Sequence, residues 1–411
     1  MASEVSRLQA PVAQSLKING ANSLKSAEKL DYIDAVRGWA ILLVITSHVG
    51  GRFSQMPYPI KKLTNFGWHG VQLFFLASAV TLMMSWSRQK SQPLLITRHF
   101  FIRRFLRISP MYYAGALIYY FAEPPAAGFD LSQLLRSLFF VNAWHPTWLP
   151  TTPGWIVVPG GWSVGVEFTF YLIFPLLAMF LTTIRRAILF TTATIVFAIV
   201  INRYAATEWF VNYDRVYLEN FLYYWFPNQA PVFGLGIILY HVLRMSRYKI
   251  CNPVIIYAIL AITGLVCILA AERPTSSTSF SYSTVAPTIF IATICFMCFI
   301  FVMDKGSPTI FVHKWIRMLG VLSFSCYILH FLFVSYIPFW FDVLIDVKAT
   351  GLRAVLTAAL LWMVTMACTV AAAAITHRLV EQPGISLARR FTSSRKSSIA
   401  NLAANTIDVV A

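Results

Sequence analysis

The chain has 411 residues, 58% of them hydrophobic and only 12% charged, with a formal net charge of +17 and a mean hydropathy of +0.65. A soluble domain averages roughly 45–50% apolar and 25% charged residues, so the composition excludes an ordinary soluble protein and describes a polytopic membrane protein. In a soluble chain this positive charge would suggest nucleic acid. Here basic loops on one membrane face account for it, and no nucleic-acid partner is expected.

Residues 1–30 are polar and hold no apolar core before a cleavage site, so they read as a cytoplasmic tail and not as a cleaved signal peptide. Ten spanning helices then follow in order, over 35–50, 69–86, 101–121, 164–181, 186–204, 229–243, 252–271, 284–303, 316–341 and 351–377. The ninth contains Pro338, where it is expected to kink or end early. With the N-terminus in the cytoplasm, cytoplasmic segments carry 23 Lys and Arg against 9 on the opposite face. That asymmetry puts both termini inside. The expected fold is all-α, with a transmembrane domain over 31–384 and a cytoplasmic C-terminal tail over 385–411.

The first segment carries Asp34, Arg37 and His48. An ionisable residue at membrane depth is costly and marks a functional site by default. Eleven residues at 100° each end about 20° past three full turns, so Arg37 and His48 share a face about 16 Å apart along the axis. One face with a cation near one surface and an imidazole near the other suggests a polar path across the bilayer. Next, Arg104 and Arg107 open the third segment from the cytoplasmic side, facing the same way at i and i+3. Two guanidiniums make a fork suited to phosphate; plain positive-inside anchoring is the alternative.

The longest loop on the far side, 122–163, holds Trp144, His145, Trp148, Trp155 and Trp162. It reads either as an interfacial aromatic belt or as a platform on which a sugar ring stacks. Trp162-Ser163-x-x-x-Glu167 then enters the fourth segment, with Tyr171 one turn beyond the carboxylate. Glu167 is expected near the far end of that span, either as a hydrated interfacial acid or as part of a site. His330 lies mid-span and fits a satisfied buried histidine as well as a catalytic one. His69 and His145, on the far side, are placed to meet an acceptor, whereas the histidines at cytoplasmic ends need no special role.

Cys295 and Cys298 form a CxxC inside an apolar run and read as helix packing. No Walker A loop and no His/Cys set with zinc spacing is present, and no nucleophile elbow is expected, so no metal and no tightly bound cofactor are expected.

Six pieces, in this order over roughly 31–384, resemble the acyltransferase type 3 family of integral-membrane acyl-CoA transferases. They are Asp34-x-x-Arg37-Gly38 with His48; Gly67-Trp68-His69-Gly70 through Ser78; Arg104-x-x-Arg107-Ile108-x-Pro110; Trp162-Ser163-x-x-x-Glu167 with Phe170-Tyr171; Ser323-x-x-x-Tyr327-x-x-His330; and Glu381-x-Pro383. The chain has Ser78-Ala79 where the family usually has Ser-Gly. The resemblance implies transfer of a short acyl group, acetyl foremost and succinyl next, from cytoplasmic acyl-CoA to a hydroxyl on a cell-surface or exported polysaccharide. On that basis His48 and Glu167 are the catalytic candidates, and Arg37, Arg104 and Arg107 the acyl-CoA ligands. Asp34, Ser78, Trp162, Tyr171, Tyr327 and His330 are supporting or acceptor-side candidates. A neutral imidazole, with an ordinary pKa of about 6.5, suits removal of the acceptor's proton. The implied partners are acyl-CoA, a carbohydrate, the lipid bilayer and polysaccharide-assembly proteins, and the implied location is a bacterial inner membrane. Two other readings stand beside this one: a macrolide or small glycoside as the acceptor, and a secondary transporter with a midplane polar site.

Overall fold

The computed structural model describes residues 31–89, 92–126, 128–149, 155–246, 249–270 and 287–392. Every regular element among them is helical. The helices are α1 (Asp31–Gly51), α2 (Tyr58–Ser87), α3 (Pro93–Ala122), α4 (Leu131–Leu138), α5 (Gly161–Phe180), α6 (Ile184–Tyr204), α7 (Arg215–Tyr224), α8 (Phe226–Met245), α9 (Pro253–Ala270), α10 (Pro287–Gly306), α11 (Lys314–Trp340) and α12 (Gly351–Thr392). Each of the ten segments expected from sequence falls on a helix, with 271 and 284–286 outside the described residues. Among the described residues, seven helices are long and apolar enough to cross a membrane: α1, α2, α5, α6, α10, α11 and α12. The expected tail over 1–30 lies outside the described residues, and the last helix, expected over 351–377, continues to Thr392.

Local chemistry sets the ends of the elements. Pro93 sits at the first position of α3, where its missing N–H costs nothing. Asp130 caps α4 by accepting from the backbone of Ser132 and Gln133, and Thr183 caps α6 through Arg186. Pro338 lies in the last turn of α11, which ends two residues later. A five-residue π turn, His377–Glu381, interrupts α12.

Two packing features position the site. The first is the crossing of α1 and α11. A side chain on Gly38 would strike the Ile316 carbonyl, and one on Gly320 the Asp34 carbonyl, so the two backbones touch on either side of Arg37. An Asp31–Arg317 ion pair fastens the same end. The second is a stack of rings. Phe233 of α8 lies 4.8 Å from Phe75 of α2 and 4.0 Å from Phe170 of α5, near-parallel to both. It ties three helices together through large buried apolar surfaces. Gly236, one turn beyond Phe233, makes room for Ala79. The departure at Ser78-Ala79 thus meets a glycine on the facing helix.

Candidate active site

The ring stack brings α2 and α5 together so that Ser78 and Glu167, each one turn from its phenylalanine, meet. The Ser78 hydroxyl donates to Glu167 Oε1 at 2.6 Å, and the Tyr171 hydroxyl donates to the same oxygen. Around them α1 contributes Arg37, α3 contributes Arg104 and Arg107, and α11 contributes Ser323 and Tyr327. Together these residues line one cavity of about 80 Å³.

Arg37, Arg104 and Arg107 make no hydrogen bond or ion pair with any described residue. Arg104 lies over the rings of Phe100 and Tyr171, at 5.9 and 5.7 Å, which supports its cation without using its N–H donors. Arg37 stands in the field of Arg107, Asp34, Glu167 and Glu381. Ser323 Oγ is fully buried in the same wall, also with no partner. Three forked cations and a spare hydroxyl around one cavity have the chemistry to hold an anion.

Two expectations change here. Arg104 and Arg107 do not sit at a helix mouth, because α3 begins at Pro93, eight residues earlier than its apolar run. At ~1.5 Å per residue they stand about 16 and 21 Å into the helix. Glu167 joins them there rather than His48, so the carboxylate belongs to the arginine cavity.

His48 lines a second cavity of about 320 Å³. Its ring lies 5.1 Å from Trp68, 4.3 Å from Phe331 and 5.2 Å from His330. Trp162, Tyr224, Ser335 and Glu123 complete an aromatic wall with a few polar groups. Glu123 ends α3 at the rim, and partial desolvation raises its carboxyl above the ordinary carboxylate range. Among the aromatic candidates of the 122–163 loop only Trp162 lines this cavity. Trp144 bonds to Thr169, Trp148 lies under Arg136, and Trp155 packs on Tyr120 and Phe129. Trp68, from α2, lines the cavity as well.

His330 is fully buried. Its Nδ1 lies 2.7 Å from the Tyr327 carbonyl and 3.3 Å from that of Cys326. Both neighbours are acceptors, so Nδ1 carries the proton, and Nε2 is a buried acceptor without a partner. His330 therefore backs His48 from behind. His69 and His145 line neither cavity. His69 packs on Phe66, and His145 caps the short turn Pro146–Trp148. Among the described residues no group of three or more metal-ligating side chains forms.

Ser163 lines the arginine cavity and was missed as a site residue, although Gly161-Trp162-Ser163-Val164-Gly165 has the spacing of a nucleophile elbow. That elbow needs a strand leading into a helix. Here the motif opens α5 directly from a turn, so the likeness ends at spacing.

An all-helical membrane protein with charged side chains gathered in its interior is a membrane-embedded enzyme or a transporter. The comparisons decide between them: the model of the acyltransferase domain, type 3, matches residues 30–378. The chain belongs to this family and is an acyltransferase. It is similar to the acyltransferase MdmB of Streptomyces mycarofaciens, with 24% identity over 324 residues, covering 75% of this chain and 80% of that protein. No solved structure matches it.

Proposed function

We propose that the protein moves a short acyl group, acetyl foremost, from acyl-CoA bound in the arginine cavity to a carbohydrate hydroxyl in the histidine cavity. One observation carries this reading. The two cavities are adjacent, one lined by three unpaired guanidiniums and the other by His48 among aromatic rings. Coenzyme A brings phosphates, which forked arginines bind bidentately. Sugar rings bring apolar faces and hydroxyls, which suit Trp68, Trp162 and Tyr224 beside Glu123 and Ser335. The arginine cavity, about 80 Å³, is the smaller of the two. The larger one has room for a sugar residue rather than a length of polymer, so the acceptor enters as a chain end, a lipid-linked unit or a small glycoside. Separate assembly proteins then carry an acylated polysaccharide onward. The arginine end faces the cytoplasm of a bacterial inner membrane, where acyl-CoA is made.

In the reaction the acceptor hydroxyl attacks the thioester carbonyl carbon while His48 takes its proton. A general base in this position contributes ~10²–10⁴-fold. The test uses purified protein in detergent or liposomes, with acetyl-CoA as donor. Arg104→Ala and Arg107→Ala each remove charge-assisted contacts worth roughly 1.5–3 kcal/mol, or about 10- to 150-fold in affinity. Arg107→Lys loses part of this, since an ammonium lacks the planar fork. His48→Gln keeps acetyl-CoA affinity and loses transfer. Wild-type affinity in the double arginine variant, or wild-type turnover in His48→Gln, overturns the assignment.

A further inference from the structure

The two cavities share a wall. Val71 and Tyr327 line both, and of the two only Tyr327 carries a polar side-chain atom. Its hydroxyl lies 2.8 Å from Ser163 Oγ and 3.1 Å from the Gly160 carbonyl, and Ser163 Oγ lies 3.0 Å from the same carbonyl. Ser163 faces the arginine cavity and Gly160 the histidine cavity, so the phenol stands on the partition. Gly160 has φ +74°, and a side chain there would meet the Phe331 ring and the Tyr327 hydroxyl. A turn that glycine adopts readily therefore presents the carbonyl at this point.

The proton count of this triangle matters. Three close contacts are served by two hydroxyl protons. Tyr327 and Ser163 both donate to the Gly160 carbonyl, so that carbonyl keeps a donor in Ser163 when the Tyr327 proton turns to another acceptor. A thioester reaching from the arginines toward His48 passes this hydroxyl.

We propose that Tyr327 is a further catalytic residue, whose hydroxyl donates a hydrogen bond to the thioester carbonyl oxygen as that oxygen gains negative charge. The inference rests on the acyl-CoA-to-hydroxyl transfer proposed above. The acceptor oxygen bonds to the carbonyl carbon, its proton passes to His48, and the carbonyl electron pair moves to the oxygen facing Tyr327. When this adduct collapses, the carbon–sulfur bond breaks. The thiolate leaves into the arginine cavity and takes the proton from His48, while Tyr327 keeps its own proton throughout. Ser163 is a positioning residue that keeps the Gly160 carbonyl bonded while the phenol's proton turns to the thioester.

The experiment follows thiol release from acetyl-CoA by the full chain in liposomes, with a panel of hexose glycosides as acceptors. Tyr327→Phe keeps the ring and is expected to lower kcat about 10²–10³-fold, as removal of one oxyanion donor does. Acetyl-CoA affinity should stay within about twofold. Fluorotyrosines placed at 327 keep the hydroxyl and vary its acidity in steps, so kcat should follow the phenol's acidity. They decide the matter if the phenylalanine variant fails to fold. Ser163→Ala should cost about tenfold or less. Wild-type kcat in Tyr327→Phe, or a flat fluorotyrosine series, overturns the inference. So does a Ser163→Ala variant as inactive as His48→Gln with an acyl group found on Ser163 of the wild type. Failure of the underlying reading looks different: a wild type inactive with every acceptor, or an active His48→Gln, removes both proposals. An active wild type with a dead His48→Gln and an unimpaired Tyr327→Phe removes this one alone.

Discussion

Glu167 is the residue whose surroundings say most about the arginine cavity. One oxygen accepts from both Ser78 and Tyr171, and its charge acts on Arg37 and Arg104. Three guanidiniums without an anion repel one another, and a carboxylate held among them offsets part of that repulsion. When the phosphates of a donor arrive, the same carboxylate opposes them. Glu167→Gln is therefore expected to lower thermal stability of the empty protein and to tighten acetyl-CoA binding a few-fold. A melting curve with and without acetyl-CoA reads both. If affinity is unchanged and only kcat falls, Glu167 is instead a catalytic residue, as the family resemblance implies. His330 shows the other side of residue-scale reading. Its burial was foreseeable from an apolar run, but its orphan Nε2 behind His48 depends on helix rotation and on two carbonyls of its own backbone.

At the scale of elements, the α1–α11 crossing holds Arg37 in place through glycines rather than through large side chains. Gly320→Val would drive a branched side chain into the Asp34 carbonyl. Overpacking of this kind costs typically 1–3 kcal/mol, and it pushes α1 away from the cavity. The variant should melt lower in detergent and bind acetyl-CoA more weakly. Gly264→Ala, in α9 with nothing within 4 Å of the added methyl, is the matched control and should be neutral or slightly stabilising. Equal behaviour of the two would show that the crossing tolerates a wider separation. Seven described helices are long and apolar enough to span, and ten of the helices were legible as apolar runs. The first two turns of α3 were not, since Arg98 and His99 break its apolarity without breaking its helix. The same error hid the depth of Arg104 and Arg107. The short helices α4 and α7 were also missed, being too short to show above their loops. Arg37 and His48 were legible as costly residues in an apolar run, Arg104 and Arg107 as a phosphate fork, and Glu167 as a carboxylate near the end of an apolar span. Their division between two cavities was not, because it is set by the Phe75–Phe233–Phe170 stack and by where α3 begins.

At the scale of the whole molecule, the proposed chemistry requires a direction. A donor made in the cytoplasm must enter at the arginine end, and the acceptor must reach His48 from the other side. The division of Lys and Arg, 23 against 9, favours that orientation. In that orientation α4 and the loop around it would lie outside, and the turn between α10 and α11 inside. Leu131, 57% exposed at the start of α4, and Ile310, 67% exposed in that turn, are suitable reporters. Each is changed to cysteine in a chain freed of its six native cysteines, checked first for retained acyl transfer. A membrane-impermeant maleimide should label Leu131→Cys in intact cells. It should reach Ile310→Cys only after the membrane is opened. The reversed pattern would put the arginines on the face without acyl-CoA. The two cavities could then not serve the donor and acceptor assigned to them, whatever the activity of the variants at His48.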